Sequence, residues 1–271
     1  MRNIRVAALT PINLIEMTEI WNRCWRGYYY NMSFTPEQMS VWLNLSQVSL
    51  QHSMAIFVED QIAGFALLSL DGVDGWIAGA SIDPNFRRKG LFTALMRLEL
   101  DVARRVGLKR VYLEVLRQNP AFKIYQSIGF VHIRQLNIYS DQKINEEPKM
   151  SVERSPLELI SLEKYFYTRR GLFNPAWQRR EGYLRRHINI FSLMNATESA
   201  GVLLAGDKIT VVLDAWSTTE DGAREVMDTI NQHSKSSWSL KNQPEDQISR
   251  FFNVRGVYPS ATQSEMCVAL T

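Results

Sequence analysis

Cysteine is nearly absent: Cys24 and Cys267 are the two in 271 residues. So few thiols in a chain this long argue against a disulfide scaffold and fit a reducing compartment, so a cytoplasmic setting is expected. Long apolar runs are absent too. The longest, around Ile62 to Leu70, is far short of the roughly 20 residues a helix needs to cross a bilayer. The start, Met1-Arg2-Asn3-Ile4-Arg5-Val6, has no continuous apolar core, so neither a membrane span nor a secretory signal is expected. The four histidines (52, 132, 187, 233) are scattered, and without a Cys cluster no metal site is expected. Gly-x-x-x-x-Gly-Lys-Ser/Thr and Gly-x-Gly-x-x-Gly are both missing, which removes the motif basis for nucleotide hydrolysis and dinucleotide binding. No Gly-x-Ser-x-Gly elbow supports a Ser-His-Asp triad.

What is present is a chain of ordinary globular composition, 45% hydrophobic and 22% charged, long enough for one or two domains. Its most informative stretch is 76–92. An apolar run, Ile77 to Ile82, ends at Asp83-Pro84; Arg87-Arg88-Lys89-Gly90 follows, then Leu91, Leu95, Leu98, Val102 and Val106 at helical spacing. Strand, basic glycine turn and helix together present unpaired backbone N–H groups and a helix N-terminus to phosphate. A side chain at position 90 would keep phosphate off that backbone. No capping box is available there, so the first N–H groups are left for a ligand. Between Pro84 and Arg110, eight Lys/Arg face only Glu99 and Asp101, a local charge of +6 in a chain of net +3. The charge sits where phosphates would bind. A solvated basic turn is the bland reading, and nucleic-acid binding would need aromatic interleaving that this segment lacks.

Downstream, Val111 to Leu116 reads as a strand. Asn119-Pro120-Ala121 starts a helix that stops at Gly129-Phe130. Alternation puts Val111, Leu113 and Val115 on one face and Tyr112 and Glu114 on the other. Taken in order, Arg87-x-x-Gly90, Leu113-Glu114-Val115, Asn119, Ala121, Tyr125 and Gly129-Phe130 resemble the GNAT superfamily of N-acetyltransferases over residues 1 to about 140. The family's phosphate signature, Arg/Gln-x-x-Gly-x-Gly/Ala, is departed from at its last position, which is Phe92.

The resemblance implies acetyl transfer from acetyl-CoA to a primary amine, on a small molecule or a peptide, by direct attack on the thioester. Arg87, Arg88, Lys89 and the N–H groups of Gly90, Leu91 and Phe92 would hold the pyrophosphate. The strand at Ser81-Ile82 would pair with the pantetheine arm. Tyr125 matches the general acid; its alternative is a plain core aromatic. Asn119 either contacts the cofactor or only caps its helix. Glu114 is the candidate base, with Asp71, Asp74 and Asp83 behind it. Tyr28, Tyr29 and Tyr30 stand where the family walls the acceptor side. A non-catalytic acyl-CoA-binding module is the competing function.

Residues 141–150 read as a polar linker, and element order repeats beyond it. A helical region at 157–187 is followed by strands at 188–194, 200–205 and 209–216 and a helix at 217–233. A strand at 238–240, Asn242-Gln243-Pro244, a helix to Gly256 and a strand from 264 to 270 complete the order. Asn119 and Asn242 lie 123 apart and Gly129 and Gly256 lie 127 apart, the mark of an internal duplication. The expected fold is α/β (α+β): tandem GNAT-like units, 1–140 and 151–271, each a mixed, mostly antiparallel sheet flanked by helices. Ser217 and Glu220 fit a capping box, so the second unit is expected to bind no cofactor. Covering the acceptor cleft or supplying a homodimer surface is its expected role.

Overall fold

The computed structural model describes residues 3–143, 157–206, 210–234 and 237–270. Two compact units emerge, Met1–Ile133 with Glu265–Thr271, and Arg134–Ser264. The last strand therefore groups with the first unit, against the expected second domain at 151–271. Its alternating apolar residues Met266, Val268 and Leu270 join the core that holds Leu113, Tyr125 and Phe130.

In the first unit the chain runs β1 (Ile4–Ala8), α1 (Leu14–Cys24), α2 (Pro36–Leu45), β2 (Met54–Val58), β3 (Gln61–Asp71) and β4 (Asp74–Ile82). It continues through α3 (Leu91–Arg105), β5 (Arg110–Leu116), α4 (Ala121–Ser127) and the start of β6 (Val131–Lys143). The second unit adds β7 (Glu158–Leu159), α5 (Leu162–Arg169), α6 (Glu181–Leu184), β8 (Ile190–Met194), β9 (Ala200–Ala205) and β10 (Thr210–Ser217). It then adds α7 (Glu220–His233), β11 (Ser237–Pro244), α8 (Gln247–Val254) and the start of β12 (Ala261–Ala269).

Strand order in the first unit is β1-β2-β3-β4-β5-β12. Neighbours from β1 to β4 are antiparallel, and β4 runs parallel to β5. Helices cover both faces, as the period-2 pattern of β3 dictates. Ala66 and Leu68 pack on the α3 side, while Phe65 and Leu67 pack with Met17, Ile20 and Trp21 of α1. The inner stripe of α3 is Leu91, Leu95, Met96, Leu100, Val102 and Ala103 together with Glu99; Leu98 and Val106, expected there, are exposed.

The second unit has order β6-β11-β10-β9-β8-β7. Its central pair repeats the geometry of the first. β4 and β5 pair in parallel over three positions, ending at Trp76–Tyr112; β10 and β11 pair in parallel over three positions, ending at Val212–Leu240. In each unit the antiparallel neighbour skips one residue just after that point, Ala78 in β4 and Leu213 in β10. Gly129 and Gly256 both carry positive φ, 105° and 75°, after corresponding helices.

Several boundaries differ from the sequence reading. The helical region 157–187 is broken into α5, a 3-10 turn at Trp177–Arg179 and the single turn α6, so Asn174-Pro175 starts no long helix. Asn242 lies inside β11 with φ 56°; α8 is capped instead by Asp246 with Ser249, so Asn242 is not the counterpart of Asn119. Ser217 ends β10, and Thr219 caps α7 through Gly222 N, which replaces the expected Ser217–Glu220 box. β6 reaches Lys143, so the linker begins later than 141, and 144–150 lie outside the described residues.

Candidate active site

Beyond Trp76–Tyr112 the β4–β5 ladder stops, although β4 continues to Ile82 and β5 to Leu116. The two strands diverge and leave an opening in the sheet. The skipped residue Ala78 turns β4 locally, as a β-bulge does. Next to it, Gly79 has no room for a side chain, because an added Cβ would stand 2.8 Å from the Trp21 ring.

Past the opening, Asp83 accepts from Asn85 N (2.9 Å) and starts a short 3-10 turn, Pro84–Phe86. Arg88 (φ 62°) and Gly90 (φ 76°) then adopt left-handed backbone, and α3 starts with no side-chain cap. Glycine at 90 is suited to that conformation. The first N–H groups of a helix have no intrahelical acceptor, and they carry the positive end of the dipole. Phe92, the departure from the family pattern, does not fill this turn. Its ring packs on the core and lies edge-to-face on Tyr125, with centroids 5.6 Å apart.

Two expected cofactor residues have other partners. The Arg87 guanidinium donates to three backbone carbonyls: Ile82 (2.9 Å), Cys24 (2.9 Å) and Arg26 (3.4 Å). Its side chain therefore braces the turn against the end of α1. Ser81 Oγ donates to the same Cys24 carbonyl at 2.9 Å, so its hydroxyl ties β4 to α1. Lys89 Nζ lies 3.4 Å from the Asn85 carbonyl and near the Phe86 ring, and Arg88 is exposed. Leu91 and Ile82 are buried, so only their backbone can meet a ligand.

Tyr125 on α4 is buried between Phe92 and Phe130. Burial pushes its phenol far above the ordinary tyrosine range, and the nearby Tyr28 phenol adds to the rise. The proton is therefore held firmly at neutral pH. Of the two roles foreseen for Asn119, the structure shows the local one at the head of α4: its Oδ1 accepts from Ala121 N at 2.9 Å, and its side chain also hydrogen-bonds Tyr28. Tyr29 OH donates to the Gln118 carbonyl at 3.1 Å, while Tyr30 is exposed. Two of the three tyrosines thus pin the α1–α2 loop onto the β5–α4 loop beside Tyr125.

Glu114 stands on β5 two residues past the last ladder pair, on the face of Tyr112 as the alternation implied. Its Oε2 accepts from the buried Trp76 Nε1 at 2.6 Å, a bond that steadies the carboxylate at the mouth of the opening. Sequence reasoning missed Trp76; its single signal is an indole at the last paired position of β4. The other carboxylates are less suited. Asp83 is fully buried against Arg23 (2.8 Å), Asp74 is paired with Arg110 (2.8 Å), and Asp71 is exposed at the β3–β4 turn. Among the described residues no cluster of three or more His, Cys, Asp or Glu could hold a metal.

The second unit's equivalent opening is filled. Arg179 donates to Ala215 O on β10 (2.7 Å) and Asn242 O on β11 (3.4 Å), and pairs with the fully buried Asp214 (2.6 Å). Arg169 and Tyr165 OH also engage Asp214, at 2.8 and 2.9 Å. A guanidinium spans the gap where the first unit is open.

Comparison with known proteins agrees with this geometry. Residues 14–130 match the Acetyltransferase (GNAT) family. A curated relative, the [ribosomal protein bS18]-alanine N-acetyltransferase of Salmonella typhimurium, is 25% identical over 126 residues, covering 46% of this chain and 79% of its own. A crystal structure from Pyrococcus horikoshii superposes with a TM-score of 0.70 at 14% identity, over 99% of this chain and 90% of that one. A GCN5-related N-acetyltransferase from Anabaena variabilis gives 0.67 at 13% identity, over 98% and 72%. The two structural matches extend over both units and show a shared fold.

Proposed function

Residues 14–130 are a GNAT acetyltransferase domain, and from that premise we propose that the chain is an acetyl-CoA-dependent N-acetyltransferase acting on a primary amine. The observation that carries this reading is the open β4–β5 gap, with an uncapped, glycine-started helix at one end and the Tyr125 phenol beside it. Those parts fit CoA. Backbone N–H groups at Gly90 to Phe92 would hold its pyrophosphate, with Arg88 and Lys89 adding charge. The β4 edge upstream of Ile82 would pair with the pantetheine arm, since the Ile82 carbonyl is already taken by Arg87.

Acetyl-CoA supplies, when bound, a thioester carbonyl open to attack by an amine. Tyr125 keeps its proton through the working pH range and gives it to the departing thiolate. Glu114, steadied by Trp76, takes a proton from the incoming ammonium, whose solution pKa is about 10. Tyr28 and Tyr29 wall the acceptor side. Two unpaired cysteines keep a reducing, cytoplasmic setting within this reading. No feature of the described site favours the non-catalytic alternative.

Calorimetric titration with acetyl-CoA tests the proposal at its root. Saturable binding at one site per chain is expected; a cooperatively folded chain that binds no acetyl-CoA would refute it.

A further inference from the structure

Arg87 sits between two segments with different tasks. On one side its own turn continues into Arg88 and Gly90, both in left-handed backbone, and then into α3. On the other its guanidinium reaches the carbonyls of Cys24 and Arg26, at the C-terminal end of α1. Carbonyls there lack intrahelical donors and carry the negative end of the dipole, which favours a cation. A second arginine crosses the other way. Arg23 of α1 pairs with the fully buried Asp83 (2.8 Å) and donates to Ile62 O (2.7 Å), while Asp83 also holds Asn85 N at the head of the turn.

Immediately after this clasp, Gly27 (φ 73°) bends the chain into Tyr28 and Tyr29, whose hydroxyls hold the loop at Asn119 and Gln118 beside Tyr125. The contacts are continuous: phosphate turn, Arg87, end of α1, tyrosine loop, general acid. A non-glycine residue in the left-handed region, as Arg88 is, persists only where its surroundings hold it. An anion on the turn's N–H groups stabilises the same backbone that orients Arg87.

We propose that Arg87 is a positioning residue that couples phosphate binding at the turn to ordering of the acceptor wall, Trp25 to Phe34. The inference rests on the acetyl-CoA reading of the turn. By linkage the coupling is reciprocal: an ordered wall raises CoA affinity by the factor through which CoA favours the ordered wall.

Hydrogen exchange at residues 25–34 tests this in the full chain with two probes, CoA and pantetheine, which lacks the phosphates. In the wild type, CoA should slow exchange there on the order of tenfold, inside the roughly 5–150-fold range of ordinary site–site coupling. Pantetheine should not. Arg87→Met should still bind CoA, since the backbone carries the phosphate contacts, but should lose the protection; Arg87→Lys should restore part of it. Two results with this variant would overturn the proposal. One is a cooperatively melting Arg87→Met that binds no CoA, which makes the side chain a phosphate ligand. The other is a variant that binds CoA and keeps the protection. If Arg87→Met does not fold, the wild-type contrast between CoA and pantetheine, with Arg87→Lys, still decides. A wild type that binds no CoA refutes the acetyltransferase reading; one that binds CoA with no response in the loop refutes only the coupling.

Discussion

Gly90 has φ 76° and open space where a Cβ would stand, so the fold tolerates a side chain there better than a bound phosphate does. Gly90→Asp should therefore still melt cooperatively, with a backbone cost on the order of 1 kcal/mol, yet lose acetyl-CoA binding by calorimetry; normal affinity would remove the turn from the site. Tyr125 makes the opposite case: the proposed mechanism uses it for rate and not for binding. Tyr125→Phe should leave acetyl-CoA affinity near normal and lower kcat by roughly 10²-fold, the low end for general acid catalysis, because water can replace the phenol in part. Unchanged turnover with chemistry rate-limiting would dismiss it. The sequence made both residues legible, since glycine after a basic run and tyrosine in a short helix are local signals. Arg87 shows what is not local. Its partners Cys24 and Arg26 lie 63 and 61 residues away, and nothing in Arg-Arg-Lys-Gly distinguishes a strut from a phosphate ligand.

Elements carry the next level of evidence. In α3 the stripe read from apolar spacing is correct at Leu91, Leu95 and Val102, but Glu99, counted as a surface charge, faces inward and is fully buried. Burial pushes its carboxyl well above the ordinary range, with a backbone hydrogen bond from Met54 as the smaller, opposing influence. The unfolded chain releases this proton near pH 4.3, whereas the folded chain keeps it to higher pH. Glu99 is thus a group whose contribution to stability falls as pH rises between those two values. Glu99→Gln should flatten that decline: urea midpoints at pH 5 and pH 8 should differ less than in the wild type, and an equal difference would contradict the assignment. In the second unit, Arg179 spans β10 and β11 above Asp214. Arg179→Met should cost about 3 kcal/mol, the low end for breaking a buried pair, because Arg169 and Tyr165 still reach Asp214. A loss under 1 kcal/mol by chemical denaturation would show that the plug is not structural. The strands of this unit were legible as short apolar runs; its N-terminal helices were not, because α5 and α6 are short and set by packing around Trp216.

At the scale of the whole chain, a repeated element order runs through two compact units that differ at the equivalent place in the sheet. Equivalent three-residue parallel ladders open into a gap in the first and into an arginine-filled core in the second. The return of Glu265–Thr271 to the first unit was not legible, since alternating apolar residues show a strand without saying which sheet receives it. The proposed function therefore puts one site in each chain, with Tyr125 and Glu114 as its reacting groups. The most direct test is release of free CoA thiol from acetyl-CoA against a panel of small primary amines and short peptides with free amino termini. The account requires thiol release matched one-to-one by acetylated amine with at least one acceptor, abolished by Gly90→Asp and strongly slowed by Tyr125→Phe. Thiol release that persists undiminished in both variants, or a chain saturated with acetyl-CoA that acetylates no amine, would contradict it.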